Sequence, residues 1–301
     1  MKTFDANTEA ARLVQWVRDY FANGEDARRC VIGISGGKDS TITAALFVQA
    51  LGADHVIGVR LPNCVQDDID VARDVCDYLG IQSLEVDIWP AYNTVTEDID
   101  IALPNYNLAQ VKAVTTNLPC RLRTLYLYTI ANLFHGRVVN TCNMSESYVG
   151  WDTKFGDQCG DINIFQDYTA SEVKAIGYAL NIPERFIEKA PADGMQGQTD
   201  EECWGFTYAA LDAYLRGDDI ADDIAAMIAE RHQSAQHKIQ AVYVPHPHYA
   251  PEGSRSLHDE VVVTETTTIR ADTVNGPATM VLGHDDASAK ADMTANVDAK
   301  G

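Results

Sequence analysis

The stretch that most restricts what this chain can become is Ser35-Gly36-Gly37-Lys38-Asp39-Ser40. It follows the apolar run Cys30-Val31-Ile32-Gly33-Ile34 and precedes Thr41-Ile42-Thr43-Ala44-Ala45-Leu46-Phe47-Val48. That order predicts a buried strand, a tight glycine turn and a helix starting near Asp39. Glycines let the backbone turn sharply and come close to a ligand. The free N–H groups at a helix start, at the positive end of its dipole, then form an anion site. Ser35 and Ser40 add hydroxyl donors, Lys38 adds charge, and Asp39 is a candidate to hold a metal that bridges phosphates. The Walker pattern does not fit, because Lys38 is followed by Asp39 instead of Ser or Thr.

A chain of 301 residues, 46% of them hydrophobic, can bury a substantial core as one large domain or two small ones. No apolar run approaches the roughly 18 residues that span a membrane, and the start has no signal-peptide core. The seven cysteines are scattered and never spaced C-x-x-C, so they read as reduced thiols of a cytoplasmic protein and not as a disulfide frame or zinc site. The net charge of −21 repels nucleic acid and anionic membrane, so neither is expected as a partner. It repels nucleotide phosphates too. A phosphate site here must therefore concentrate its few basic residues locally.

Along the chain, Ala10, Leu13, Val14, Val17, Tyr20 and Phe21 form a helical stripe over 6–23 that stops at Gly24. Strands are predicted at 30–34, 55–61, 83–88 and 137–142, with helices running from the glycine turn to about 52 and over 67–79 between them. This alternation argues for an α/β fold, a doubly wound parallel sheet with helices on both faces. Residues 89–116 are less regular, with a helix expected near 106–115; a longer helix is expected from Pro119 to Phe134. Residues 143–168 read as a polar, glycine-bearing loop, too long for a mere connection. Thr169-Ala170-Ser171-Glu172 is a capping box opening a helix, and further helices are expected after Pro183, over 201–215 and over 219–239. Trp204 and Tyr208 are expected as core contacts.

Composition shifts at about Pro245, which divides a main domain, 1–245, from an extension, 246–301. The alternating run 260–270 reads as one strand, with 278–282 able to pair with it as a hairpin. The small, acidic residues from 285 onward read as disordered.

In open parallel sheets, ligands bind beyond the carboxyl ends of the strands where the connection order reverses. With the five-stranded order 3-2-1-4-5, strands one and four flank that crevice. Asp39 follows strand one and Glu146 follows strand four, so the two carboxylates can share one Mg²⁺ from opposite sides. Magnesium prefers one or two carboxylates plus phosphate oxygens and waters.

The strand–SGGKDS–helix unit resembles the loop of the ATP pyrophosphatase superfamily. With it stand Arg121-Leu122-Arg123, Asn143–Glu146, Thr153–Asp157, Lys189-Ala190-Pro191-Ala192-Asp193, Gln198–Glu201 and His237-Lys238. In that order they make the chain similar, over roughly 8–245, to the ammonia-dependent NAD⁺ synthetase family. The resemblance implies a ligase that forms a C–N bond, amidating deamido-NAD⁺ with ammonia and splitting ATP to AMP and pyrophosphate. It implies that Ser35, Gly36, Gly37, Lys38, Asp39 and Ser40 bind pyrophosphate, with Arg121, Thr141, Lys189, His237 and Lys238 also at ATP. Arg121, Lys154, Asp157, His237 and Lys238 would meet deamido-NAD⁺. Asp39 and Glu146 would hold Mg²⁺, and Asp39, Lys154 and Lys189 would be the catalytic set. A homodimer is implied as well.

The chain departs from the family at Ala170, where a phosphate-reaching lysine is frequent. Only 29 residues precede strand one, too few for the amidase domain of glutamine-using relatives, so ammonia is expected from solution or another protein. Two other readings stay open: a GMP-synthetase-like amidating or tRNA-thiolating enzyme, and a catalytically silent nucleotide-binding regulator.

Overall fold

Each apolar strand carries two cores at once, because alternate side chains point to opposite faces. The computed structural model describes residues 4–22, 29–65, 69–188 and 199–239, and the backbone of 261–263, 267–269 and 280–281. In it, Cys30 and Ile32 of strand β1 (Arg29–Gly33) face one core, while Val31 faces the other. All three are fully buried. The neighbours are β2 (Val56–Arg60), β3 (Gln82–Glu85), β4 (Gly136–Asn140) and β5 (Ile162–Asn163). The sheet order is β3-β2-β1-β4-β5 and every pairing is parallel, as expected.

On one face, α1 (Ala6–Ala22), α2 (Lys38–Leu51), α3 (Ile69–Leu79), α7 (Ala170–Ala179) and α8 (Glu184–Ile187) bury Leu13, Val17, Ile42, Phe47, Val75, Ile176 and Ile187. The other face is covered by α4 (Trp89–Ala102) and α5 (Lys112–Leu133), which contribute Leu122 and Ile130. A third cluster joins α6 (Met144–Tyr148), α9 (Asp200–Trp204), α10 (Tyr208–Arg216) and α11 (Asp222–Ile239) through Val149, Trp204, Phe206, Leu211 and Ile228. Among the described residues, no helix is long and apolar enough to cross a membrane.

Four expectations change. The irregular stretch after β3 holds the whole helix α4, none of whose residues is buried. The helices expected near 106–115 and from Pro119 to Phe134 are replaced by one, α5, which starts at Lys112 and keeps Pro119 inside it. The expected helix over 201–215 is two, because Gly205 adopts the left-handed conformation that ends α9 (φ +83°). The loop 143–168 contains α6 and the two-residue β5, which pairs Val139 with Ile162.

The chain separates into one unit of residues 1–239 and a second of 240–301. In the second, the single strand expected over 260–270 is two, Val261–Val263 and Thr267–Ile269, paired antiparallel. Met280–Val281 adds a third strand beside the second of these. The β-branched run of Val and Thr continues from one strand into the next, which hides the division from a periodicity reading. Lys189, the 245–251 linker and the run from 285 lie outside the described residues.

Candidate active site

The turn between β1 and α2 is tied together by its own serines. Ser35 Oγ lies 3.1 Å from Ser40 Oγ and accepts from the Gly37 N–H at 3.2 Å. Ser40 Oγ and Thr41 Oγ1 both donate to the Gly37 carbonyl, at 3.1 and 2.8 Å. Gly36 has φ +80°, a conformation that side chains rarely adopt. Among the described residues, Gly37 at the N-cap of α2 brings no side-chain cap, which leaves the positive end of the helix toward the cleft.

Lys38 and Asp39 occupy that first turn. Lys38 is buried and its Nζ meets Asp39 Oδ2 at 2.8 Å. Burial alone would depress the lysine's pKa. Attraction to Asp39, then to Glu146 and Asp200, outweighs burial and holds it above its ordinary value. Nζ also sits 5.4 Å from the centre of the Tyr208 ring.

Glu146 arrives from across the crevice, as the position after β4 predicts. The fully buried Asn143 caps α6, accepting from the Glu146 N–H at 3.1 Å. Its amide nitrogen lies 3.4 Å from Asp39 Oδ1, so one side chain touches both halves of the site. Burial first, then repulsion from Asp39, pushes the Glu146 carboxyl up to about 8, against the attraction of Lys38.

Two residues here escaped the sequence reading. Asp200 lies within the Gln198–Glu201 stretch that supports the resemblance, with no role attached to it. Tyr208 packs edge-on against Trp204 as expected, with ring centres 4.8 Å apart. Its hydroxyl also donates to Asp200 Oδ2 at 2.8 Å and lies 3.4 Å from Glu146 Oε1. Burial and these carboxylates raise the phenol far above its usual pKa. A buried aromatic gives no sequence signal that its polar tip faces a site.

Three carboxylates thus face one ammonium. Their hard oxygen donors and surplus negative charge suit a divalent cation. Among the described residues, no three His, Cys, Asp or Glu side chains are placed to form a closed metal cage. Asp39 and Glu146 therefore fit an ion completed by phosphate oxygens and water.

In metal-free protein, Glu146 is a linkage group. Its folded pKa of about 8 is above the ordinary 4.5, so its stabilising contribution is full below the lower value and lost as pH rises through the higher. Glu146→Gln is expected to match wild type at about pH 5 and to exceed it by roughly 2–4 kcal/mol at about pH 9. Chemical denaturation in chelator at the two pH values checks this.

A second cluster surrounds residues 150–157. Lys154 Nζ donates to the His237 carbonyl at 2.5 Å, and Lys238 Nζ donates to the carbonyls of Gly150 and Asp152 at 2.7 and 2.9 Å. Gly150 has φ +64°, and a Cβ there would fall 2.3 Å from that of Ala235. Only glycine lets α11 pack this closely. Asp157 Oδ1 accepts from the Thr153 N–H at 2.6 Å, and burial pushes its carboxyl up to about 6. Arg121 donates to the Lys154 carbonyl at 3.3 Å, and exposed His237 turns its ring back to Ser234 of its own helix. Thr141 follows β4 directly, on the crevice side. Ala170 is buried, with its N–H on Ser145 Oγ at 3.0 Å, so no cation reaches the cleft from that position.

Known proteins resemble the chain in sequence and in fold. The family model described as NAD synthase matches residues 9–248. The NH(3)-dependent NAD(+) synthetase of Alkaliphilus oremlandii is 33% identical over 232 residues, 75% of this chain and 92% of that protein. Among solved structures, an NMN synthetase from Francisella tularensis superposes with TM-score 0.73 at 32% identity, covering 81% of this chain and 99% of that one. An NAD⁺ synthetase from Burkholderia pseudomallei gives TM-score 0.66 at 30% identity, over 78% and 90%. The matched residues span the whole crevice from the β1 turn to the end of α11, and the chain belongs to the NAD synthase family.

Proposed function

We infer that the protein is an ammonia-using ligase that amidates deamido-NAD⁺ to NAD⁺ at the expense of ATP. The observation that carries this reading is the pairing of the SGGKDS turn with Glu146 across the crevice, joined through Asn143. In the first step a nicotinate carboxylate oxygen attacks the α-phosphorus of ATP. The new O–P bond replaces the bond to the β-phosphate, and pyrophosphate leaves with its electron pair. In the second step the ammonia nitrogen bonds to the adenylated carbonyl carbon and sheds a proton. The C–O bond breaks, and AMP departs with the electrons.

Both steps need negative charge held in place, which fixed donors supply at little reorganisation cost. The α2 first turn, the Ser35 and Ser40 hydroxyls and Lys38 would grip the departing β,γ-phosphates. Mg²⁺ would sit on Asp39 and Glu146, and when bound it neutralises phosphate charge. Arg121, Lys154, Asp157, His237 and Lys238 would meet the dinucleotide, with Arg121, Thr141, Lys189, His237 and Lys238 toward ATP. Lys154 and Lys238 would exchange backbone carbonyls for substrate oxygens. Lys154→Ala is expected to raise KM for deamido-NAD⁺ about tenfold with little change in KM for ATP. Equal effects on both, or none, would remove Lys154 from the dinucleotide site.

A second reading follows from the likeness to the NMN synthetase: the acceptor would be nicotinate mononucleotide. Pyrophosphate release from ATP, assayed with ammonium and each acceptor in turn, separates the two. Higher kcat/KM with deamido-NAD⁺ supports the first.

The functional unit would be a cytoplasmic homodimer. Helix α4 buries none of its residues, and the α4–α5 side exposes Ile101 (80%), Leu133 (73%), Tyr106 and Leu125. A second copy of the chain would cover this apolar face. Sedimentation equilibrium is expected to give twice the chain mass; a monomer at micromolar concentration would contradict it.

A further inference from the structure

Tyr208, Asp212 and Arg216 follow one another at i, i+4 and i+8, so they share one face of α10. Tyr208 reaches the cleft, while Arg216 pairs with Glu172 of α7 and donates to the Asp167 carbonyl at 2.9 Å. Asp212 lies between them, buried, with both oxygens engaged. Oδ2 accepts from the Ser171 N–H at 2.8 Å, and Oδ1 accepts from Ser145 Oγ at 2.5 Å. Ser145 Oγ in turn accepts from the Ala170 N–H at 3.0 Å, and Thr169 Oγ1 accepts from the Glu172 N–H at 3.3 Å. The first N–H groups of α7, which lack partners inside the helix, are thus met by Ser145, Asp212 and Thr169 in turn. A carboxylate only accepts, so the Ser145 proton points to Asp212 and a lone pair points to Ala170.

Ser145 directly precedes Glu146. Helix α6 has five residues, too few to hold its own direction, so its placement comes from outside. Asn143 accepts from the Glu146 N–H, the Met144 N–H donates to the Tyr168 carbonyl at 2.8 Å, and Ser145 donates to Asp212. The first two bonds join neutral groups; the third is buried and made to a carboxylate, which makes it the strongest. We propose that Asp212 is a positioning residue for the divalent ion: acting through Ser145, it holds α6 against the start of α7 so that Glu146 faces Asp39. The proposal rests on the amidation reading above, in which Asp39 and Glu146 share Mg²⁺. Asp212 itself touches neither metal nor substrate. Arg216 supplies the contrast, because it braces α7 through Glu172 and meets α6 only at the weak acceptor Met144 Sδ, 3.9 Å away.

The test is Asp212→Asn in the full chain. An asparagine in either orientation costs one bond of the relay, since its N–H₂ must face the Ser171 N–H or take the place of the Ser145 acceptor. Affinity for the non-cleavable α,β-methylene ATP is measured by calorimetry in excess Mg²⁺ and again in chelator, so no turnover enters the readout. Binding in Mg²⁺ is expected to weaken at least about tenfold, and binding in chelator by less than about twofold. Ser145→Ala, which leaves Asp212 on Ser171, should do the same, and the double variant should be no worse than the stronger single one. Arg216→Gln should lower the melting temperature and leave the response to Mg²⁺ unchanged. An unchanged response in Ser145→Ala, additive losses in the double variant, or an equal loss in Arg216→Gln overturns the proposal. Ser145→Ala decides alone if Asp212→Asn does not fold. A wild-type protein whose nucleotide affinity ignores Mg²⁺ would instead count against the metal site of the amidation reading itself.

Discussion

Replacing Lys38 with methionine is expected to lower stability by about 3 kcal/mol and turnover by about 10³-fold. Methionine matches the stem of the side chain, so the change removes charge and little volume. The buried ammonium is paired with Asp39 at 2.8 Å and attracted by Glu146 and Asp200 as well. Without it, Asp39 and Asp200 would face each other beside the Glu146 carboxyl with no cation from the protein. Buried pairs give little net stability when intact, yet breaking one leaves an uncompensated charge. Saturating Mg²⁺ should restore part of the stability, because it supplies the missing positive charge. It should not restore turnover, because the phosphates would still lack the donor. Urea unfolding with and without Mg²⁺, beside a pyrophosphate-release assay, reads both effects. A stability loss below about 1 kcal/mol would show that the pair behaves as a solvated one.

The importance of Lys38 follows from the whole chain. Net charge is −21 and Ala170 provides no cation, so the phosphate site depends on a few well-placed bases. Burial among carboxylates keeps Lys38 charged at any physiological pH, which an exposed lysine would achieve with less directional force.

Asp39→Ala has the opposite signature. Turnover should fall about 10³-fold or more, because a metal ligand at the phosphates is lost. The fold should survive, since Lys38 keeps Glu146 and Asp200 as counter-charges and Glu146 loses its nearest like charge. A melting temperature within a few degrees of wild type, with no Mg²⁺-dependent activity, is the expected pair of results. Near-normal rates would remove Asp39 from the metal site.

Much of this was legible in the residues. Strand β1 announced itself as an apolar run whose middle three residues are buried toward two cores, and glycine followed by a helical run fixed the turn beyond it. Asp39 and Glu146 could be placed together because each directly follows a strand flanking the point where strand order reverses. Helix α4 could not be read, because Ala91 and Tyr92 pack inward only partly while Val95, Ile99 and Ile101 stay exposed, which leaves a weak inward stripe. Strand β5 is two residues long, too short for any periodicity. Tyr208 and Asp212 were hidden for a shared reason. Their importance lies in which buried oxygen meets which partner, and that is set by contacts between segments far apart in the chain, such as Glu146 with Tyr208. Lys154 and Lys238 were readable as basic residues, but not their present partners, which are backbone carbonyls.

The central claim is that the β1–α2 turn, with Asp39 and Glu146, activates a nicotinate carboxylate by transferring AMP to it. Exchange of labelled pyrophosphate into ATP, measured with Mg²⁺ and deamido-NAD⁺ but without ammonium, tests that step alone. The account predicts exchange that requires both the metal and the dinucleotide. Exchange that proceeds without the dinucleotide, or none when everything but ammonium is present, would contradict it.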